Sequence, residues 1–122
     1  MSDSITSELL QKWVAAIKSG DPKQVTSLYH GDGILLGTFS NKERVGHDLI
    51  LEYFENLLKS PVDVEIVSEH PFVASPDYAI NSGHYNFVTN GKTINARFSF
   101  VYVKGNDGWK IISHHSSVMP ET

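Results

Sequence analysis

The stretch YAINSGHYNFVTNGKTINARFSFVYV, residues 78–103, decides the architecture. At its centre Asn90-Gly91 is the strongest short-range hairpin signal, because both turn positions favour positive φ, and segments 78–89 and 92–103 on either side read as the paired strands. That turn fixes a register in which His84 faces Arg97 and Tyr85 faces Ala96. Downstream, Gly105-Asn106-Asp107-Gly108 turns the chain into a further strand, Trp109–Ser117. A three-residue loop there sets His115 opposite Arg97, and a four-residue loop sets Ser116 there instead. Upstream, Val62-Asp63-Val64-Glu65-Ile66-Val67 alternates as a half-buried strand.

Before that strand the apolar period is helical. Residues 4–19 place Ile5, Leu9, Trp13 and Ile17 at helical spacing, and Gly20 stops the helix. Asp21-Pro22 supplies an N-cap and a proline at the first position of a short second helix that reaches Leu28. His30-Gly31-Asp32-Gly33 is a turn, Ile34-Leu35-Leu36 suits a short strand, and a loop follows through Asn41. From His47 to Lys59, Ile50, Tyr53, Phe54, Leu57 and Leu58 recur at three- and four-residue steps, giving a third helix that Pro61 terminates. Three helices followed by a long antiparallel sheet is an α+β order, with the helices on one side of a curved sheet and an open cone as the expected shape.

Composition narrows the function classes. The 122 residues suit one domain, 1–122, and 40% apolar with 20% charged residues lies in the ordinary globular window. Ten Lys+Arg against fourteen Asp+Glu leave a formal charge of -4 with the basic residues scattered, so no nucleic-acid partner is expected. The absence of cysteine removes disulfides, thiolate zinc sites and cysteine nucleophiles, and suits a reducing cytoplasm. Neither a signal peptide nor a membrane span is visible, so a cytoplasmic protein without membrane contact is expected.

The sheet has an uneven charge inventory. Between Asp77 and Asp107, and again from Trp109 to Pro120, there is no carboxylate. Arg97, one of only two arginines, sits inside the apolar run Ala96-Phe98-Phe100, and a buried guanidinium needs a partner. Glu8, Asp48, Glu52 or Glu55 from a helix supplies it, or the residue is a solvated strand end, or a ligand anion docks on its planar fork. His84, Arg97 and His115 then form one cationic strip inside an apolar enclosure, with the two histidines as hydrogen-bond donors or as acid-base candidates. Adjacent His114 and His115 point to opposite sheet faces and cannot grip one ion, so no metal site is expected, and no cofactor. Ser116 and Ser117 lack a nucleophile elbow, and Gly31-Asp32-Gly33 lacks the helix and lysine of a phosphate loop. Trp13, Tyr29, Tyr53 and Trp109 carry polar tips suited to a concave site, while Tyr85, Phe87, Phe98, Phe100 and Tyr102 offer more aromatic area than one small core needs, part of it suited to a subunit interface.

Several of these motifs occur together in one family. Ser19-Gly20-Asp21, Tyr53-Phe54-Glu55-Asn56-Leu57, Asp107-Gly108-Trp109 and His114-His115-Ser116-Ser117-Val118-Met119-Pro120 resemble the NTF2-like superfamily, and within it stand-alone relatives of the association (hub) domain of calcium/calmodulin-dependent protein kinase II. The resemblance implies three helices wrapped by a strongly bent antiparallel sheet, a pocket that accepts small carboxylates, and homo-oligomers built through the sheet. It places His115 and Trp109 at the hub's last-strand histidine and tryptophan, puts His84 where the hub carries an arginine, and lets Phe100 replace another. Kinase activity is not implied. Other branches are isomerases, cyclases and dehydratases, whose usual pocket Asp or Glu base is not visible on this sheet. Three functions follow as expectations: an oligomer binding a small anionic or polar-aromatic molecule through Arg97, His84, His115, Trp13, Tyr29, Tyr53 and Trp109; an enzyme with His84 or His115 as general acid-base; or a pure assembly domain.

Overall fold

Helix α1 spans Ser4–Ser19 and α2 Pro22–Thr26, followed by strands β1 (Tyr29–Leu36) and β2 (Arg44–Val45), helix α3 (His47–Leu57), and the long strands β3 (Val62–Ser75), β4 (Tyr78–Thr89), β5 (Lys92–Gly105) and β6 (Gly108–Val118). This is a computed structural model and describes residues 4–120. The six strands form one curved sheet in the order β2-β1-β6-β5-β4-β3, antiparallel throughout except where β1 runs parallel to β6. The helices pack on its inner face. No helix is long and apolar enough to cross a membrane.

Local chemistry sets the boundaries. Gly20 ends α1 at φ 76°, a left-handed conformation that glycine adopts without a Cβ penalty. The Asp21 carboxylate then accepts the Lys23 N–H at 3.0 Å, capping α2 with Pro22 in its first turn. The buried stripe of α1 is Leu10, Trp13, Val14 and Ile17, turned slightly from the expected face because Ile5 and Leu9 are only half-buried. β1 begins at Tyr29, so His30–Gly33, expected as a turn, lies inside a strand whose register to β6 shifts between Tyr29 and Ile34. A Cβ on Gly33 would lie 2.9 Å from the Ile111 carbonyl oxygen, so this irregular strand hugs β6 only without a side chain.

The central hairpin keeps its expected register, with Asn90 at φ 53° and Gly91 at φ 75° and His84 opposite Arg97. The next one does not. Gly105 pairs Gly108 across a two-residue turn, and Ile112 is an extra residue on β6, so Arg97 lies opposite Ser117, Ser99 opposite His115 and Phe100 opposite His114. Neither expected loop length is realised, and His84, Arg97 and His115 do not share a row.

A bulge also governs β3, whose pairing to β4 shifts between Ile66 and Ser68. It presses the β3 backbone onto Gly83, where a Cβ would meet the Ser68 carbonyl oxygen at 2.1 Å. Gly83→Ala is expected to cost about 1–3 kcal/mol, because backbone rather than a flexible side chain must move. Urea unfolding checks this, and an unchanged midpoint would contradict the packing.

Candidate functional site

Parity along β4, β5 and β6 aims Tyr85, Phe98, Phe100, His114 and Ser116 inward, where they meet Trp13 and Tyr29 from beneath the helices. These side chains build one buried polar chain. The Trp13 indole N–H, which can only donate, reaches the Tyr29 hydroxyl oxygen at 3.1 Å. Tyr29 O–H passes its hydrogen to His114 Nδ1 at 2.7 Å. On the far side Tyr85 O–H donates to Ser116 Oγ at 2.5 Å, leaving its oxygen to accept from His114 Nε2 at 3.2 Å. Counting hydrogens thus assigns the neutral Nε2–H tautomer to His114. The chain ends where the Ser116 and Thr38 hydroxyls meet at 2.5 Å.

Burial holds the His114 imidazole well below its ordinary range, at about 3, with His115 adding a smaller push in the same direction. Burial likewise raises the hydroxyls of Tyr29 and Tyr85 far above the ordinary tyrosine value and pushes Tyr53 up to about 12. Phe100 stacks on the imidazole at 3.9 Å between ring centroids, and Trp13 meets it edge-on at 5.3 Å. All the hydrogens of the chain remain in place at neutral pH.

Beside this chain runs a slit of about 10 Å³, room for about one water, lined by Trp13, Tyr53, Phe54, Tyr85, His114 and Ser116 among others. Tyr53 and Leu57 also line a cavity of about 350 Å³ that opens outward past Phe39, Ser40, Arg44, Asn56 and Thr89. Phe39 packs edge-on against Phe87 at 5.3 Å, and its N–H lies 3.5 Å from the Tyr53 hydroxyl oxygen. Gly37 makes room for Tyr53, whose ring atoms lie 2.4–2.7 Å from where a Cβ would stand. The slit and the outer cavity are therefore neighbours with Tyr53 between them. A roomier cleft of about 560 Å³ lies beside Lys18, Lys59 and Asp63, but its charged groups are exposed, so the converging buried polar groups point instead to the slit and its outer cavity.

Arg44 is the buried guanidinium of this fold. Only 6% exposed, it sends Nη1 to Glu52 Oε1 at 2.6 Å and to the Leu49 carbonyl at 3.2 Å, and Nη2 to Ser40 Oγ at 3.3 Å. Its hydrogen bond and charge hold the Glu52 carboxyl below its usual range.

Of the residues expected at the site, Trp13, Tyr29 and Tyr53 are brought together in the interior. Arg97, His84 and His115 are not: all three are exposed on the outer face, because the strand parity that buries Phe98, Phe100 and Tyr85 turns their neighbours outward. The strip expected inside the enclosure is thereby corrected: His84 and Arg97 face each other on the outer face, and His115 lies there off their row. Trp109 is half-buried and packs against the edge of the core, away from the slit. His114, Ser116, Tyr85, Arg44 and Thr38 were not among the expected site residues. An inward carboxylate, also not foreseen, exists at Glu69: it accepts from Ser7 Oγ at 2.9 Å and from Asn81 Nδ2 at 3.0 Å, tying α1 to the sheet outside the slit. Among the described residues no cluster of His, Asp and Glu has the spacing to hold a metal ion.

Comparison with known proteins places this geometry. A Xanthomonas campestris structure assigned to the calcium/calmodulin dependent protein kinase II association domain is similar at 38% identity and TM-score 0.90, over 96% of this chain and 87% of that one. An NTF2-like protein of unknown function from Pseudomonas putida superposes with TM-score 0.87 at 16% identity, over 99% and 89% of the two chains. A Streptomyces avermitilis protein of the NTF2-like family, assigned as a dehydratase, gives TM-score 0.87 at 17% identity over 98% and 97%. These last two show the shared fold alone. The family model for the calcium/calmodulin dependent protein kinase II association domain matches residues 4–120, and the chain belongs to that family.

Proposed function

We propose that the protein is a self-associating cone domain that binds a small polar-aromatic or anionic molecule in the outer cavity against Tyr53 and Arg44, with Trp13 and Tyr29 from the expected set joined by His114 and Ser116 in the buried wall behind it. The observation that carries this reading is a buried guanidinium on the wall of a cavity of about 350 Å³ that shares Tyr53 and Leu57 with the slit lined by the buried, fully oriented hydrogen-bond chain. A core that only needed filling would place apolar side chains there. Acid-base chemistry by His84 or His115 gains no support, since both face outward. His114 faces inward, but both its nitrogens are engaged and it is held near 3, which suits a positioning role.

Self-association is supported by family membership and by the outer sheet face. Register places Phe72, Ile80, Val101, Ser113, Ile34 and Val45 in one row across all six strands, and Phe72 is 58% and Val45 55% exposed. A second copy is the occupant that the family and this row together favour. Light scattering after size exclusion tests it: a particle of at least twice the 13.6 kDa chain is expected, and a strict monomer at micromolar concentration would contradict it. Phe72→Asp is expected to shift the particle toward monomer. For the cavity, a thermal-shift screen of small aromatic acids and phenols is expected to give hits that Tyr53→Ala abolishes, and a screen with no hit would overturn the binding half of the reading.

A further inference from the structure

Hydrogens can be counted where the slit meets the outer cavity, just as along the buried chain. The Tyr53 hydroxyl oxygen accepts the Phe39 N–H at 3.5 Å, and the Thr38 N–H bears on the same atom. Among the described residues that hydroxyl makes no other hydrogen bond, so its own hydrogen has no acceptor. Tyr53 is 6% exposed, and burial pushes it up to about 12, so the hydrogen stays on it through the neutral range. Ser116 and Thr38 present a second one. Ser116 Oγ already takes the Tyr85 hydrogen, and a single contact of 2.5 Å joins it to Thr38, so one of their two hydrogens is left over whichever donates.

Both spare hydrogens end at one place, because Thr38 stands between Gly37, against which the Tyr53 ring packs, and Phe39, which lines the outer cavity. Acceptors are missing there. Tyr85 and His114 have their hydrogen bonds made, and the rest of the slit is walled by Trp13, Leu35, Phe54 and Phe87. A buried donor without an acceptor is costly, and two side by side mark the position that an acceptor would fill. The slit has room for one oxygen atom, at about 10 Å³, and the neighbouring 350 Å³ takes the body of a small ring. Nothing at this spot calls for a charge. Arg44 is already paired with Glu52 at 2.6 Å, and an anion buried against hydroxyls and aromatic rings alone would lack a counter-ion.

We infer that the slit seats the oxygen of a neutral carbonyl group, held by the Tyr53 O–H and by the spare hydrogen of the Ser116–Thr38 pair, and that the ligand is a small aromatic ketone or ester. Its ring lies in the outer cavity against Phe39 and Tyr53. This inference rests on the reading of the cavity as a small-molecule site and narrows the ligand to a neutral hydrogen-bond acceptor.

Titration of the full chain, followed by NMR, with acetophenone and with α-methylstyrene tests this, since the second probe carries a methylene in place of the carbonyl oxygen. Tyr53→Phe keeps the ring and is expected to weaken acetophenone about five- to tenfold while leaving α-methylstyrene unchanged. The wild-type chain is expected to bind acetophenone more tightly than benzoate. The infrared carbonyl stretch of acetophenone bound to the wild-type chain is expected below its value in cyclohexane, a readout that keeps the test decisive if Tyr53→Phe fails to fold. Equal effects of Tyr53→Phe on the two neutral probes, tighter binding of benzoate, or a carbonyl stretch at the cyclohexane value overturns the carbonyl seat while the cavity reading stands. Binding of none of the three probes to the wild-type chain overturns both.

Discussion

Between pH 8 and pH 4.5 the protein is expected to lose on the order of 2–3 kcal/mol of stability through His114 alone. In the folded chain the imidazole is held at about 3, against 6.5 for an ordinary histidine, because burial disfavours its charged form. The unfolded chain therefore binds a proton below pH 6.5 that the folded chain refuses until about pH 3. Stability is fully present above 6.5 and falls by about 1.4 kcal/mol per pH unit as acid is added through that window. His114→Asn keeps a donor and an acceptor but cannot titrate, so it is expected to start lower at pH 8 and to fall less steeply, by close to one proton. Urea unfolding of both proteins at pH 8, 6 and 4.5 isolates the term, since other titrating groups cancel in the difference. Parallel curves would mean that His114 is hydrated or charged in the folded state, and the assigned hydrogen-bond chain would be wrong.

That experiment addresses a residue that pattern reading passed over. The hairpin around Asn90-Gly91 was legible because turn chemistry is local and a two-residue loop admits one register. The helices and the α+β order were legible from period, and the family from the YFENL and terminal HHSS segments. The register of β6 was not, because the single extra residue at Ile112 is a packing decision that no turn residue announces, and one residue exchanges the inward and outward sets. His114 and His115 are chemically identical in sequence, so which of them is buried in the hydrogen-bond chain and which faces solvent depended entirely on that bulge. Arg97 drew attention because Phe98 and Phe100 flank it, yet period-two alternation is the very pattern that turns it outward. Arg44 gave no comparable signal. It lies in an irregular segment, and only the return of α3 over β2 brings Leu49 and Glu52 to its guanidinium. A carbonyl and a carboxylate five and eight residues away are ordinary neighbours in sequence and become a site only when the segment folds back.

Trp13→Ala is expected to be the most damaging single truncation of the interior, at about 3–5 kcal/mol, a third or more of the stability of a typical small domain. The indole is 1% exposed, stacks on Tyr85 at 5.7 Å, and meets Phe100 and His114 edge-on at 5.5 and 5.3 Å, so its removal leaves a cavity bounded by rigid rings that cannot collapse into it. It also removes the head of the hydrogen-bond chain, but not its direction: Tyr29 O–H still donates to His114 Nδ1, and its oxygen loses one donor. Trp13→Phe separates the two effects. It restores most of the aromatic volume without the N–H and is expected to cost only about 1–2 kcal/mol, the value of one buried hydrogen bond plus a small packing defect. Free indole added to Trp13→Ala is expected to raise its unfolding midpoint, because an apolar cavity of that shape is filled by the group that vacated it, and to leave the wild-type midpoint unchanged. Equal destabilisation by Ala and Phe would assign the cost to the lost N–H. That result would make the polar chain, rather than ring packing, the feature that keeps the slit closed to all but about one water.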